Sequence, residues 1–428
     1  MALPRVFIST DLRLEAQEKD DVQSLVHALM YQDKMNIVGI AGTASKFNTQ
    51  DGLVRDIDAV IDVYGKDLAK LREHGSGFKS VEALKKVSHQ GATDTAPPKG
   101  YSKPTDSSEA IIAEARKAAA AGEKLNVLTW GGEADIAQAL HDSPGIAKHV
   151  RLFSIDTQDI HAKKYLLDNF KGKLDLWVDN MTTFRGTYGT PESGSMIKGW
   201  HEANAKGHGA LGDFFSKVSS NIFNKSGVKM GDSPTVLRFL DGDQDDPTQE
   251  SWGGEFRKVS DGYYTDLHGQ GFDRPGTQGA RTVYENREEW LEDFAGRFDW
   301  LKDKGPIPLP RPGGDDVITV KASGDHYKGN PNFVIQVDGK TLDLTNRVTA
   351  VHDKDQWQTF TYKGDLDAPG IQEREVEIIF NNDAWNGRKG ANGSDRNLYI
   401  DEVSFNGQVD DTDAVFKWNS TKSWLFEV

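Results

Sequence analysis

Three aspartates near the start of the chain, Asp11, Asp20 and Asp21, are the residues whose type and spacing suggest chemistry. Carboxylates gathered at one place repel each other unless protons or a cation lie among them, and a hard divalent ion with oxygen ligands suits such a set. They belong to Arg5–Asp11 and the following Lys19–Leu29. Val6, Phe7 and Ile8 form a short apolar run with high β-propensity, which predicts a buried strand. From Asp21, the positions Val22, Leu25, Val26 and Leu29 have helical spacing. Asp11 then lies where strand gives way to loop, at the sheet edge where open α/β folds bind ligands. The plainer reading is that Asp20 or Asp21 caps the helix, where a carboxylate meets free N–H groups and a favourable dipole. A phosphotransfer Asp-x-Asp is ruled out because Ser9 stands two before Asp11, and no glycine fingerprint for a dinucleotide follows the strand.

The chain has 428 residues, enough for a large core and a smaller unit. Its 66 acidic and 51 basic residues give a net charge of −15, which argues against a nucleic-acid or anionic-membrane surface. It suits a protein that binds cations or neutral sugars, although solubility alone would account for it. With no cysteine, disulfides, thiolate metal sites and cysteine nucleophiles are excluded. No apolar run approaches the roughly 20 residues of a membrane span.

Strand-like and helix-like segments alternate from residue 5 to about 180. Strands are predicted at Asn36–Thr43, Leu125–Trp130, Val150–Ile155 and Leu174–Asp179. Helices are predicted at Asp51–Leu71, Ser108–Ala121, Glu133–Leu140 and Ala162–Phe170, and residues 86–107 read as a loop. Repeated βα units imply a mostly parallel open sheet with helices on both faces. Residues 186–280 read as Gly-rich and irregular, with one strand at Pro234–Leu240, before a last helix at Glu288–Lys302. Four prolines between Gly305 and Gly314 predict an extended linker. Beyond it, Val317–Val320, Phe333–Val337, Gln356–Tyr362, Val376–Phe380 and Leu398–Phe405 are short strands with no helical period, hence a β-sandwich. The expected domains are 1–304 and 315–428, joined by 305–314. The last twenty residues, with Trp418 and Trp424, add strands or pack on the first domain.

The first domain resembles the nucleoside-hydrolase superfamily, especially its bacterial nucleoside-hydrolase-like, cellulose-binding branch. The likeness rests on Ser9-Thr10-Asp11 with Asp20-Asp21, on Leu128–Leu140 (LTWGGEADIAQAL), Asp179–Gly186 (DNMTTFRG), Lys229–Pro234 (KMGDSP) and Ser251–Gly254 (SWGG). The resemblance implies a calcium ion on Asp11, Asp21 and Asp232, with a main-chain carbonyl near Trp130 as a fourth ligand. It implies sugar hydroxyls on Asp20 and Asn180. Asp11 would also act as base on a calcium-bound water that attacks the anomeric carbon with inversion. Read without the family, Asp232 is a turn residue. Two departures stand out. Ser9 replaces an aspartate, and Gly231 stands where most nucleosidases carry the histidine that helps the leaving group depart.

The second domain resembles calcium-dependent xylan-binding modules through Gly329–Gly339, Gln356–Phe360, Phe380–Gly387 and Ser394–Asp401. Carried over, calcium would lie on Asp383, Asp395 and the Trp385 carbonyl, bridging to sugar hydroxyls. The plainer reading is a solvated turn. Trp357 and Trp385 are the aromatic candidates for sugar stacking.

The expected protein is a calcium-dependent hydrolase of ribosides or related glycosides, tethered to plant cell-wall polysaccharide such as xylan or cellulose. It is expected to be periplasmic or secreted, with a signal peptide already removed, and to bind neither nucleic acid nor membrane. The rival is a non-catalytic polysaccharide-binding protein that keeps a vestigial calcium site. An intracellular nucleoside-salvage enzyme fits poorly with a sugar-binding module.

Overall fold

The computed structural model describes residues 3–16, 19–49, 53–191, 196–302, 316–366, 373–384 and 395–427. The expected linker 305–314 and Trp385 lie outside them. The chain forms two compact units, Met1–Lys302 and Asp303–Val428.

The first unit is built on eight strands: β1 Arg5–Thr10, β2 Asn36–Gly42, β3 Ser88–Gln90, β4 Leu125–Thr129, β5 Val150–Ile155, β6 Leu176–Asn180, β7 Phe256–Ser260 and β8 Tyr263–Asp266. Their order is β3-β2-β1-β4-β5-β6-β8-β7. All neighbours are parallel except β7 and β8, an antiparallel pair at one edge. β1 is apolar on both faces because both are covered. Val6 and Ile8 join the cluster around Val22, Leu25, Val26 and Leu29, while Phe7 points the other way onto Ile111, Ala115 and Leu140. The Ala-rich helix Asp106–Ala121 on that second face begins in a Thr105/Ser108 capping box and ends at Gly122 with φ 71°.

Under β5 and β6 lies a buried charge network. Lys163 Nζ donates to Asp179 Oδ1 at 2.6 Å, Ser154 Oγ at 3.1 Å and Glu133 Oε1 at 3.4 Å. Tyr263 donates to Asp179 Oδ2 at 2.6 Å. Burial pushes Glu133 up to about 7, with the Asp179 and Asp159 charges adding to the rise and Lys163 opposing it.

Several expectations need correction. Pro234–Leu240 is not a strand: Pro234–Leu237 is a short helix with the proline in its first turn. An apolar run that is buried all round does not distinguish strand from helix, and proline at a helix start is favourable. The stretch expected to be irregular holds the helices Trp200–Asn204 and Gly209–Ser219 and the β7–β8 hairpin. The segment expected to be loop, 86–107, includes β3. Asp20 and Asp21 do not cap their helix, Asp20–Met30. Lys19 is its N-cap residue, with no side-chain cap bond.

The second unit packs two four-stranded sheets. Its strands are β9 Asp316–Gly324, β10 Asn332–Val337, β11 Lys340–Arg347, β12 Gln358–Gly364, β13 Glu373–Phe380, β14 Leu398–Phe405, β15 Gln408–Phe416 and β16 Ser420–Glu427. The sheet orders are β11-β10-β13-β16 and β12-β9-β14-β15, with antiparallel pairing throughout. Alternating inward residues, among them Ile318, Val320, Phe333, Ile335, Ile378, Ile400 and Phe426, fill the space between them. The chain's last strand, β16, pairs with β13, so the tail belongs to the sandwich.

Candidate active site

β1 delivers Asp11 to the carboxyl edge of the sheet. There Asp11 Oδ2 accepts Ser45 Oγ at 2.5 Å, and its carbonyl accepts Asn48 Nδ2 at 2.6 Å. Thr10 Oγ1 accepts the Leu12 N–H at 3.1 Å and donates to Asp21 Oδ1. The helix from Asp20 starts at the same edge, and the turn before Pro234 supplies Asp232. One ligand oxygen from each of Asp20, Asp21 and Asp232 lies within 4.8 Å of the others. All four aspartates line one cavity of about 770 Å³, with Trp130, Phe47, Phe184, Tyr188, Lys229 and Gly231 also in its wall.

At such spacing two ionised carboxylates repel by about 3 kcal/mol at an effective dielectric near 20. Burial, then the charges of Asp232, Asp11 and Asp20, accordingly raises Asp21 well above the usual carboxylate range. Lys229 Nζ offsets part of the repulsion at 3.0 Å from Asp20 Oδ2. Asp20 Oδ1 is buried with no hydrogen-bond partner among the described residues. An all-oxygen donor set, surplus negative charge and an unsatisfied carboxylate oxygen fit a hard divalent cation such as calcium.

The site differs from expectation in detail. Asp20, assigned to sugar, stands in the tight trio, while Asp11 lies beside it on Ser45. The Trp130 carbonyl accepts Gln158 Nε2, which leaves one of its two lone pairs for an ion. Asn180 does not line the cavity. Its Oδ1 accepts the Phe184 N–H at 2.8 Å and so holds the turn that sends Phe184, Arg185 and Tyr188 there instead.

Gln23, which sequence reasoning passed over, ties the two carboxylate-bearing segments together. It lies one turn after Asp20 on the same helix and accepts the N–H groups of Lys229 and Met230. A polar residue at i+3 from a site residue was the available signal. Gly231 has a local cause as well: a Cβ there would stand 2.6 Å from Asp20 Oδ2. The position expected to carry a histidine has no room for a side chain while Asp20 keeps this pose.

In the second unit Asp383 and Asp395 are neighbours. Desolvation, then the Asp395 charge, raises Asp383. The Oδ1 atoms of both are buried without a hydrogen-bond partner among the described residues. Arg396 braces the loops beneath them, donating to the carbonyls of Tyr327, Lys328 and Asn382. The Asp383 N–H donates to Asn419 Oδ1 at 2.7 Å, in the β15–β16 turn. Trp418, one residue before Asn419, is 66% exposed, and the sequence reading gave it no binding role. Trp357 is half-buried, edge-on to His352 at 5.6 Å, with Lys321 over its ring.

Residues 5–256 match the family model described as cellulose-binding Sde182, nucleoside hydrolase-like domain. The chain belongs to the Sde182 nucleoside-hydrolase-like family. In this Sde182-family chain, residues 317–417 also match a calcium-dependent, xylan-binding carbohydrate-binding module. Among solved structures it is similar to a nucleoside hydrolase-related hypothetical protein from Saccharophagus degradans associated with carbohydrate metabolism. That likeness has 17% identity and a TM-score of 0.54, covering 94% of this chain and 98% of the other. The inosine-uridine preferring nucleoside hydrolase of Bacillus anthracis is 13% identical over 69% of this chain and all of its own, with a TM-score of 0.39. A search of curated proteins returned no match.

Proposed function

We propose that this Sde182-family protein is a calcium-dependent hydrolase of ribosides or related glycosides, held on plant cell-wall polysaccharide by its C-terminal module. The observation that carries the reading is the trio Asp20, Asp21 and Asp232 beside Asp11 on the floor of one open cavity. Calcium held by that trio would supply the positive charge that orders vicinal sugar hydroxyls and acidifies a water. Asp11, fixed by Ser45, takes the proton of the attacking water as its oxygen bonds to the anomeric carbon and the glycosidic bond breaks. The surrounding carboxylates favour the positive charge that develops on the sugar. With no side chain at Gly231 to protonate it, the leaving group departs as a stable anion or takes its proton from solvent.

The module supports the second half of the reading. Asp383 and Asp395 form a second oxygen-rich pair suited to calcium, and the exposed Trp418 stands next in sequence to Asn419, which accepts the Asp383 N–H. Such a protein works on polysaccharide outside the cytoplasm, with the Pro-rich stretch 305–314 as the tether between its two units.

The test is turnover of p-nitrophenyl β-riboside, whose leaving group is a good anion. The wild type turns it over in calcium, and both chelator and Asp11→Asn abolish the reaction. If calcium and ribose bind yet no product forms, the non-catalytic polysaccharide-binding reading replaces this one.

A further inference from the structure

Phe47 is a large apolar side chain left 64% exposed, yet it lines the cavity that holds Asp11. Its position is rigidly built. The turn 45–48 is closed by paired backbone bonds between Ser45 and Asn48 at 3.0 and 3.2 Å. The Phe47 N–H donates to Ser45 Oγ at 3.0 Å, the same hydroxyl that donates to Asp11. Asn48 anchors the other side of the turn to the Asp11 carbonyl. Lys46 fastens the turn to the next loop, its N–H on the Gln158 carbonyl at 2.8 Å and its Nζ on the Thr157 carbonyl at 2.5 Å. That Nζ lies 4.7 Å from the Phe47 ring centroid. The backbone that carries the ring is tied down on both sides, and an exposed aromatic at a cavity mouth, with no core to fill, offers its face to a ligand.

We infer that Phe47 is the stacking platform of a second sugar subsite at the cavity mouth, so that the group leaving the glycoside is itself a carbohydrate, whose glycosidic oxygen takes a proton from solvent as the bond to the anomeric carbon breaks. The inference rests on the hydrolase reading above and names its substrate class. A sugar presents an apolar C–H face to an aromatic ring and hydroxyls around its rim. The mouth offers that pairing, with Asn48, Asp156 and Gln158 lining the same cavity as Phe47, its one exposed ring among the described residues. The cavity's volume lies in the range of sites for drug-sized ligands, more than a single pentose requires.

The experiment uses the full chain with Asp383→Ala and Asp395→Ala to remove the module's calcium-dependent binding, and calorimetry in calcium. The ligands are ribose, a ribofuranosyl-xylose disaccharide and inosine. Phe47→Ala is expected to weaken the disaccharide about tenfold and leave ribose unchanged, while Phe47→Tyr retains the affinity. Loss confined to inosine would make Phe47 a base-stacking residue and overturn the proposal. Equal binding of the disaccharide by wild type and Phe47→Ala would overturn it as well. A disaccharide that binds through Phe47 while ribose fails to bind would sink the riboside reading and leave the sugar platform standing. If nothing binds, both fall.

Discussion

The side-chain oxygen of Gln23 lies 3.0 Å from the backbone nitrogen of Met230 and 2.9 Å from that of Lys229. Its amide nitrogen donates in turn to Ser219 Oγ and the Gly227 carbonyl. Met230 adopts φ 50°, rare for a residue with a side chain, and this twist sends Lys229 and Asp232 toward the cavity. One buried amide thus sets the distance between the helix that bears Asp20 and Asp21 and the turn that bears Asp232.

Gln23→Leu removes that acceptor and leaves buried N–H groups unsatisfied, at a cost of about 2 kcal/mol. It is expected to lower calcium affinity at least tenfold, because the ligands stay present but lose their spacing. Thermal melts and calcium titration of the variant check this. Unchanged calcium affinity would show that the 229–232 segment is held from elsewhere.

Gly231→Ala tests the empty position. Its Cβ meets only the end of the Asp20 side chain at close range, so the carboxylate can swing away and the fold loses little stability. The displaced Asp20 leaves both Lys229 and the trio. Calcium affinity is therefore expected to fall while the melting temperature of the calcium-free protein barely moves, measured on the same samples.

Glu133 gives the first unit a dependence on pH. Its folded value of about 7 lies above the ordinary glutamate value, so between the two the native state binds more protons than the unfolded one. Stability is then complete at low pH, falls as pH rises through this window and levels off above it. The full effect is about 3 kcal/mol, from about 1.4 kcal/mol per pH unit. Glu133→Gln keeps the Lys163–Asp179 pair and should flatten the stability curve between pH 5 and 8 in urea melts. A variant curve parallel to wild type would assign the slope to other groups.

In the module, Trp418→Ala is expected to weaken xylan binding about tenfold without changing the melting temperature, since the side chain packs on little. Asp395→Ala should remove the calcium dependence altogether, leaving the same weak binding with or without chelator. Affinity electrophoresis in xylan reads both. Full retention of affinity in Trp418→Ala would move the stacking role to another aromatic.

The residue pattern by itself carried the layered α/β unit and the sandwich. Burial on both faces demands continuous apolar strands such as β1, whereas the sandwich strands alternate, and these periods are written locally. It also marked Asp11, Asp20 and Asp21, which fall near one another in sequence at a strand end and a helix start. Asp232 could be named only through resemblance, because nothing local separates it from an ordinary turn aspartate. Tertiary structure alone brought it to Asp20 and Asp21. The helices Gly209–Ser219 and Pro234–Leu237 were illegible for the same reason. Each is held by a buried partner far along the chain, Gln23 Nε2 for Ser219 Oγ at 2.8 Å and Trp130 Nε1 for Thr235 Oγ1 at 2.7 Å. Trp418 was in plain view as a tryptophan, but only the β15–β16 turn left it exposed, one residue from the partner of the Asp383 N–H, since exposure follows from pairing register rather than from residue type.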